Sequence, residues 1–241
     1  MDDPGCGGGK GPLEAPRRLL GEARGAPGRP FLEAGLLFSA FYLASYAVAA
    51  PFGREARSPA FHLAILAQVL PRALLALYVM ATSDGLDAFG ISALKPRDLF
   101  KGLACGLGAG LVALLPAFAF SSVGLANPIF AGAGSGPRAS LAALPFVALS
   151  SISTGYSEEL FFRSYLLRRL RQSGLPRGWA VLASSLLFGG GHAYEGWVGI
   201  VSGAILGLYF AWRWESSRNI HEIAIGHGLF DAAVFSVLLY S

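Results

Sequence analysis

Charged side chains and cysteines are both scarce in this sequence, and each shortage excludes something. Asp, Glu, Lys and Arg make up 14% of the 241 residues, against roughly 25% in an ordinary soluble domain, and mean hydropathy is +0.52. The chain is therefore too apolar for a soluble globular fold and reads as an integral membrane protein. The two cysteines, Cys6 near the N-terminus and Cys105 in an apolar run, provide neither a disulfide framework nor a CxxC metal site. The first 30 residues lack the apolar core of a signal peptide; rich in Gly, Pro and Arg, they read as a disordered cytoplasmic tail. There is no internal repeat of the kind many transporters carry. The formal charge of +4 fits the loop bias of a membrane protein better than a nucleic-acid partner.

What the sequence does have is apolar length. Runs cover about 31–50, 60–82, 99–120, 141–166, 178–193, 197–214 and 220–240, most of them near the ~20 residues needed to cross a bilayer. Continuous runs without alternation predict helices, so the fold class is all-α: a polytopic membrane bundle of seven helices, or eight if the stretch 99–156 holds a break. With the N-terminus inside, fourteen of the nineteen Lys and Arg fall on inside segments. Outside loops hold Arg54, Arg57 and Arg138, and Arg72 and Arg163 lie within helices. This bias predicts a cytoplasmic N-terminus. The chain divides into a tail over 1–30, N-terminal membrane helices over 31–140 and a core over 141–241. Two glycine ladders, Gly102, Gly106, Gly110 and Gly199, Gly203, Gly207, predict flat faces for close helix packing rather than chemistry. Pro71 predicts a kink in the second helix.

Ionisable groups at membrane depth are costly, which draws attention to Glu158, Glu159 and Arg163. On a helix Glu159 and Arg163 share a face as an i,i+4 ion pair, while Glu158 is turned by roughly 100° and left free. Further polar residues sit in later runs: His192, and His227 with Asp231 at i,i+4. At about 1.5 Å rise per residue, Glu158 lies roughly 21 Å above residue 172 and His192 roughly 21 Å above residue 178; His227 and Asp231 lie roughly 10 and 17 Å above residue 220. Four groups from three helices can thus converge inside the bilayer. His221 belongs to the interface, and since position 225 is Ile, His221-Glu222 is not an HExxH zinc motif.

Such a set suits hydrolysis with water as nucleophile: Glu158, with His192, accepts a proton from water, and His227, held by Asp231, donates to the oxyanion formed at a peptide carbonyl. Neither cysteine has a local His and Ser157 has no triad, so nothing points to a covalent route. Glu158, His192 and His227 are also plausible zinc ligands, although their spacing matches no strong metal motif. A single buried His in a membrane bundle is more often a helix-to-helix hydrogen bonder, and Glu159 with Arg163 alone could only fix register. Four groups at one depth argue against that blander account. Two further alternatives are a non-catalytic binding or bacteriocin-immunity protein and a transporter with a proton relay.

The ordered pattern Glu158-Glu159-x-x-x-Arg163, Phe188-x-x-x-His192 and His227-x-x-x-Asp231 resembles the CPBP family of CAAX proteases and bacteriocin-processing enzymes, also called the Abi family, over roughly residues 141–240. The resemblance implies an all-helical intramembrane protease acting on a membrane-anchored protein or peptide; the chain is expected in the bacterial inner (plasma) membrane, and the spacing of its polar residues predicts no required cofactor, with zinc possible. The resemblance also implies roles: Glu158 and His192 activate water, Glu159 and Arg163 support the site, and His227 with residue 231 stabilises the oxyanion. Family members commonly have Asn at the last position. Asp231 cannot donate when ionised, so it either orients and charges His227 or is protonated. The compactness of the chain argues against a prenylated substrate.

Overall fold

The structure is a computed structural model and describes residues 28–39, 42, 58–128 and 140–240. Nearly all of the predicted tail, and the second half of the first predicted helix, fall outside these residues. Helix α1 spans Arg29–Phe38, α2 Pro59–Ser83 and α3 Pro96–Ser122. Helix α4 starts as Leu144–Glu159, widens into a π-helical stretch over Leu160–Leu166 and resumes as Leu167–Gln172. Helices α5 (Arg177–Gly191), α6 (Gly196–Ser217) and α7 (Ile220–Tyr240) complete the bundle. The described residues form no strand, in line with the all-α expectation. Four of the helical stretches are long and apolar enough to cross a membrane: α2, α3, Ala193–Ser217 and α7.

Local chemistry sets these boundaries. Ser58 accepts the backbone N–H of Phe61 and Pro59 follows it, so α2 starts with a capped, preorganised turn. Asp98 accepts the Lys95 N–H at the start of α3. Asn219 plays the same part for α7, accepting from His221 and Glu222 while its amide donates to Asp98 over 2.8 Å, which ties two helix starts together. Helix α2 runs on through Pro71.

Packing follows the small residues. Helix α7 lies between α3 and α4. A Cβ added at Gly106 would sit 2.9 Å from the Gly226 carbonyl oxygen, and one added at Gly155 would sit 2.7 Å from the Gly228 nitrogen. The second ladder does the same for α5 and α6, with Gly207 against Ser185 and Gly203 against Gly189 and His192. Both ladders are thus packing devices, except that Gly110 faces open space. Outward, α3 presents Leu103, Leu107, Leu111, Leu114 and Phe118, all exposed, as a face suited to lipid. Inward, Phe161, Phe162, Phe188 and Phe210 form an aromatic core around Arg163.

Candidate active site

The adjacent glutamates of α4 have opposite surroundings. Glu159 is fully buried; its Oε1 lies 3.1 Å from an Arg163 guanidinium nitrogen and accepts a hydrogen bond from His227 Nδ1 at 2.8 Å. Glu158 keeps 19% of its side chain exposed, and its Oε2 stands 3.7 Å from His227 Nε2. On that same nitrogen's side Asp231 Oδ2 lies 3.5 Å away. One imidazole therefore faces three carboxylates. The bond on the Nδ1 side is short, and the two on the Nε2 side fall outside good hydrogen-bond range. The i,i+4 pairing of Glu159 with Arg163 holds as expected, and Glu159 has a further task that its sequence position did not show: it anchors His227 across 68 residues.

Arg163 explains how a charge survives in this core. Its guanidinium carbon lies 4.4 Å from the centre of the Phe188 ring, and a terminal nitrogen donates to the Gly207 carbonyl at 3.2 Å. Ion pair, ring face and carbonyl together offset part of its desolvation. The π-helical stretch that carries Arg163 begins directly after Glu159. Such widened turns concentrate at functional sites.

His192 ends α5. Its Nδ1 donates to the Phe188 carbonyl at 2.9 Å, so in the neutral ring Nε2 is the acceptor. Phe188 lies between the two histidines, 4.8 Å from the His192 ring centre and 5.7 Å from that of His227. Phe210 stacks on His227 at 4.8 Å and fixes the ring plane. Glu158 and Asp231 both stand on the Nε2 side of that ring. Glu158, His192, His227 and Asp231 are therefore brought to one region, as the depth estimate predicts.

Glu195 was not singled out from the sequence. It lies in the turn after His192 and accepts the Asn127 amide at 2.7 Å. The pair joins positions 68 residues apart without any periodicity, so only a Glu three residues beyond the His could have hinted at it. His221 lies apart from this cluster. Its Nε2 donates to the Ser92 carbonyl and its Nδ1 accepts from the Tyr156 hydroxyl, each at 2.8 Å. Glu222, its neighbour, is buried and paired with Arg213, the Nε distance being 2.9 Å.

Among the described residues, no three His, Cys, Asp or Glu side chains converge to hold a metal ion. Glu158, His192 and His227, the trio a zinc site would use, do not form such a group, while the bond from His227 Nδ1 to Glu159 leaves Nε2 as the nitrogen that could take a ligand.

No curated protein and no solved structure matches the chain. The family model described as type II CAAX prenyl endopeptidase Rce1-like matches residues 140–233. That stretch holds both α4 glutamates, Arg163, His192, Glu195, His227 and Asp231. Over residues 140–233 the chain is therefore similar to the Rce1-like type II CAAX prenyl endopeptidases, in line with the wider family that its motifs resemble.

Proposed function

We propose that the chain is an intramembrane endopeptidase that hydrolyses a peptide bond of a membrane-associated protein or peptide, with Glu158 activating water. The observation that carries this reading is the division between neighbours: Glu159 is pinned by Arg163 and His227, whereas Glu158 is partly accessible and makes no hydrogen bond of that kind among the described residues. A carboxylate left open beside a fixed imidazole is in position to take a proton.

In this reaction the water held by Glu158 and His192 attacks the carbonyl carbon and gives its proton to Glu158. His227 acts with both nitrogens protonated. Its Nδ1–H is spent on Glu159, so its Nε2–H is the donor to the oxyanion. Asp231, 3.5 Å from Nε2, orients the ring and matches its charge. Collapse of the tetrahedral species breaks the C–N bond, and the proton on Glu158 passes to the departing amine, leaving a carboxylic acid and an amine that exchange a proton to end as carboxylate and ammonium. No step draws on a metal.

The test is cleavage of a membrane-anchored reporter library by purified protein in liposomes, wild type beside Glu158→Gln, with and without a strong chelator. The expected result is cleavage by the wild type in both conditions and a loss of about 10²–10⁴-fold in the variant, the range for removing a general base. Equal activity in a folded Glu158→Gln protein overturns the assignment. Activity abolished by chelator and restored by zinc moves the chemistry to a metal.

A further inference from the structure

Four arginine–carboxylate groups stand out among the described residues, and in three of them the arginines meet as many carboxylates. Arg163 faces Glu159, Arg213 faces Glu222, and Arg168 with Arg169 face Asp84 and Glu33. The fourth does not match. Glu215, only 4% exposed at the end of α6, is approached by three arginines: Arg177 at 2.7 Å, Arg218 at 2.9 Å and Arg171 at 3.8 Å. Their side chains are 63%, 51% and 44% exposed, so a buried carboxylate organises a guanidinium cluster that opens outward with two positive charges in excess.

Backbone geometry gives an independent sign of selection. Arg218 sits at φ 49°, the only non-glycine residue with positive φ among the described residues, at the position after a helix where glycine is usual. Holding a long side chain there costs on the order of 1 kcal/mol or more. Helix termination does not need the guanidinium. Two exposed tryptophans flank the cluster, Trp179 on the first turn of α5 and Trp212 one turn before the end of α6, at 64% and 58% exposure. Tryptophan in that position marks the level of lipid headgroups.

We propose that Arg171, Arg177 and Arg218, arranged by Glu215, form a binding site for the phosphate of an anionic phospholipid at the arginine-rich end of the bundle. The site lies on the outside of α4, α5 and α6, apart from the glutamates and histidines, and does not depend on what reaction they perform. The surplus charge matches a phosphodiester, the fork geometry of guanidinium suits its oxygens, and the tryptophans place the cluster where such a headgroup resides.

The test is native mass spectrometry of the full chain from phosphatidylcholine nanodiscs containing a minor share of phosphatidylglycerol. The wild type should retain phosphatidylglycerol in preference to phosphatidylcholine. Each arginine removed should lower that preference by about fivefold, from the attraction of one basic residue near an anionic surface. Arg171→Gln/Arg177→Gln should therefore lose about 25-fold. Arg218→Gly relieves the backbone strain, so it should be at least as stable as wild type and still lose about fivefold, which keeps the test valid if the double variant folds poorly. Arg97→Gln/Lys101→Gln on α3 should change nothing. Unchanged preference in the Arg171, Arg177 or Arg218 variants, or an equal loss in the α3 control, overturns the site. Retention abolished by inorganic phosphate alone would assign the cluster to a soluble anion instead.

Discussion

Helices α4 and α7 approach each other through Gly155 and Gly228; Glu159 lies one turn beyond Gly155 on α4, and His227 directly precedes Gly228 on α7. A Cβ added at Gly155 would stand 2.5 Å from the Ala224 carbonyl oxygen and 2.7 Å from the Gly228 nitrogen. Both are backbone atoms, which cannot swing aside as a side chain would. Ordinary contact begins near 3.4 Å, so Gly155→Ala forces the two helices apart by about 0.9 Å. The hydrogen bond from His227 to Glu159, 2.8 Å long, spans that same gap. Adding the displacement takes it to about 3.7 Å, where it no longer holds the imidazole. A misplacement of about 1 Å costs on the order of 10²-fold in rate, and overpacking costs about 1–3 kcal/mol in stability. The expected outcome is a kcat/KM about 100-fold down in the liposome cleavage assay, with a lowered unfolding temperature. Gly110→Ala is the matched control: nothing lies within 4 Å of its added Cβ, so it should be as active as wild type and up to about 1 kcal/mol more stable. A Gly155→Ala protein with activity within threefold of wild type would falsify the claim that this helix contact sets the geometry.

Two further outcomes are expected. Arg163→Met should destabilise the protein by about 3–5 kcal/mol, because it leaves Glu159 charged in the core with His227 as its remaining partner. Arg163→Met/Glu159→Gln should recover part of that loss, and thermal unfolding that finds the double variant no more stable than the single one would contradict the argument. At the bundle end, burial pushes the Asp84 carboxyl up, but hydrogen bonds from Gln172 and Arg168 and the charge of Arg169 outweigh it and hold it below its ordinary 3.8. The folded state thus favours the ionised form. Its stabilisation is full above the unfolded value and disappears as pH falls through the folded one. Asp84→Asn should accordingly lower the unfolding temperature at pH 7 and make progressively less difference below about pH 4. A difference as large at pH 2.5 as at pH 7 would show that charge is not what Asp84 supplies.

Much of this was legible before any coordinates, because a bilayer constrains sequence strongly. Six of the seven apolar runs fall on described helices, five with both ends within a few residues and α4 running on to Gln172, and four of these helical stretches are long and apolar enough to span. The pairing of Glu159 with Arg163 and of His227 with Asp231 followed from i,i+4 spacing, which depends on one helix only. What spacing cannot convey is contact between helices. That His227 gives Nδ1 to Glu159 depends on how closely α4 and α7 approach, and so on Gly155 and Gly228, which no ladder pattern marked. Glu195 meets Asn127 through loop geometry, and the π-helical stretch has no compositional signature, since Leu160-Phe161-Phe162-Arg163 would serve equally well in an α-helix.

That stretch affects how chains of this kind can differ in length. In an ordinary helix, losing one residue turns everything beyond it by about 100° and detaches one face from its partners. A turn that is already one residue too wide can lose that residue and close into regular α-helix, leaving the glutamates above and Arg168 and Arg169 below still facing their own neighbours. Between Glu159 and Leu167, a gap of one in a comparison with a relative is therefore a conservative change, and the helix can be counted from either end without the two halves needing a common register.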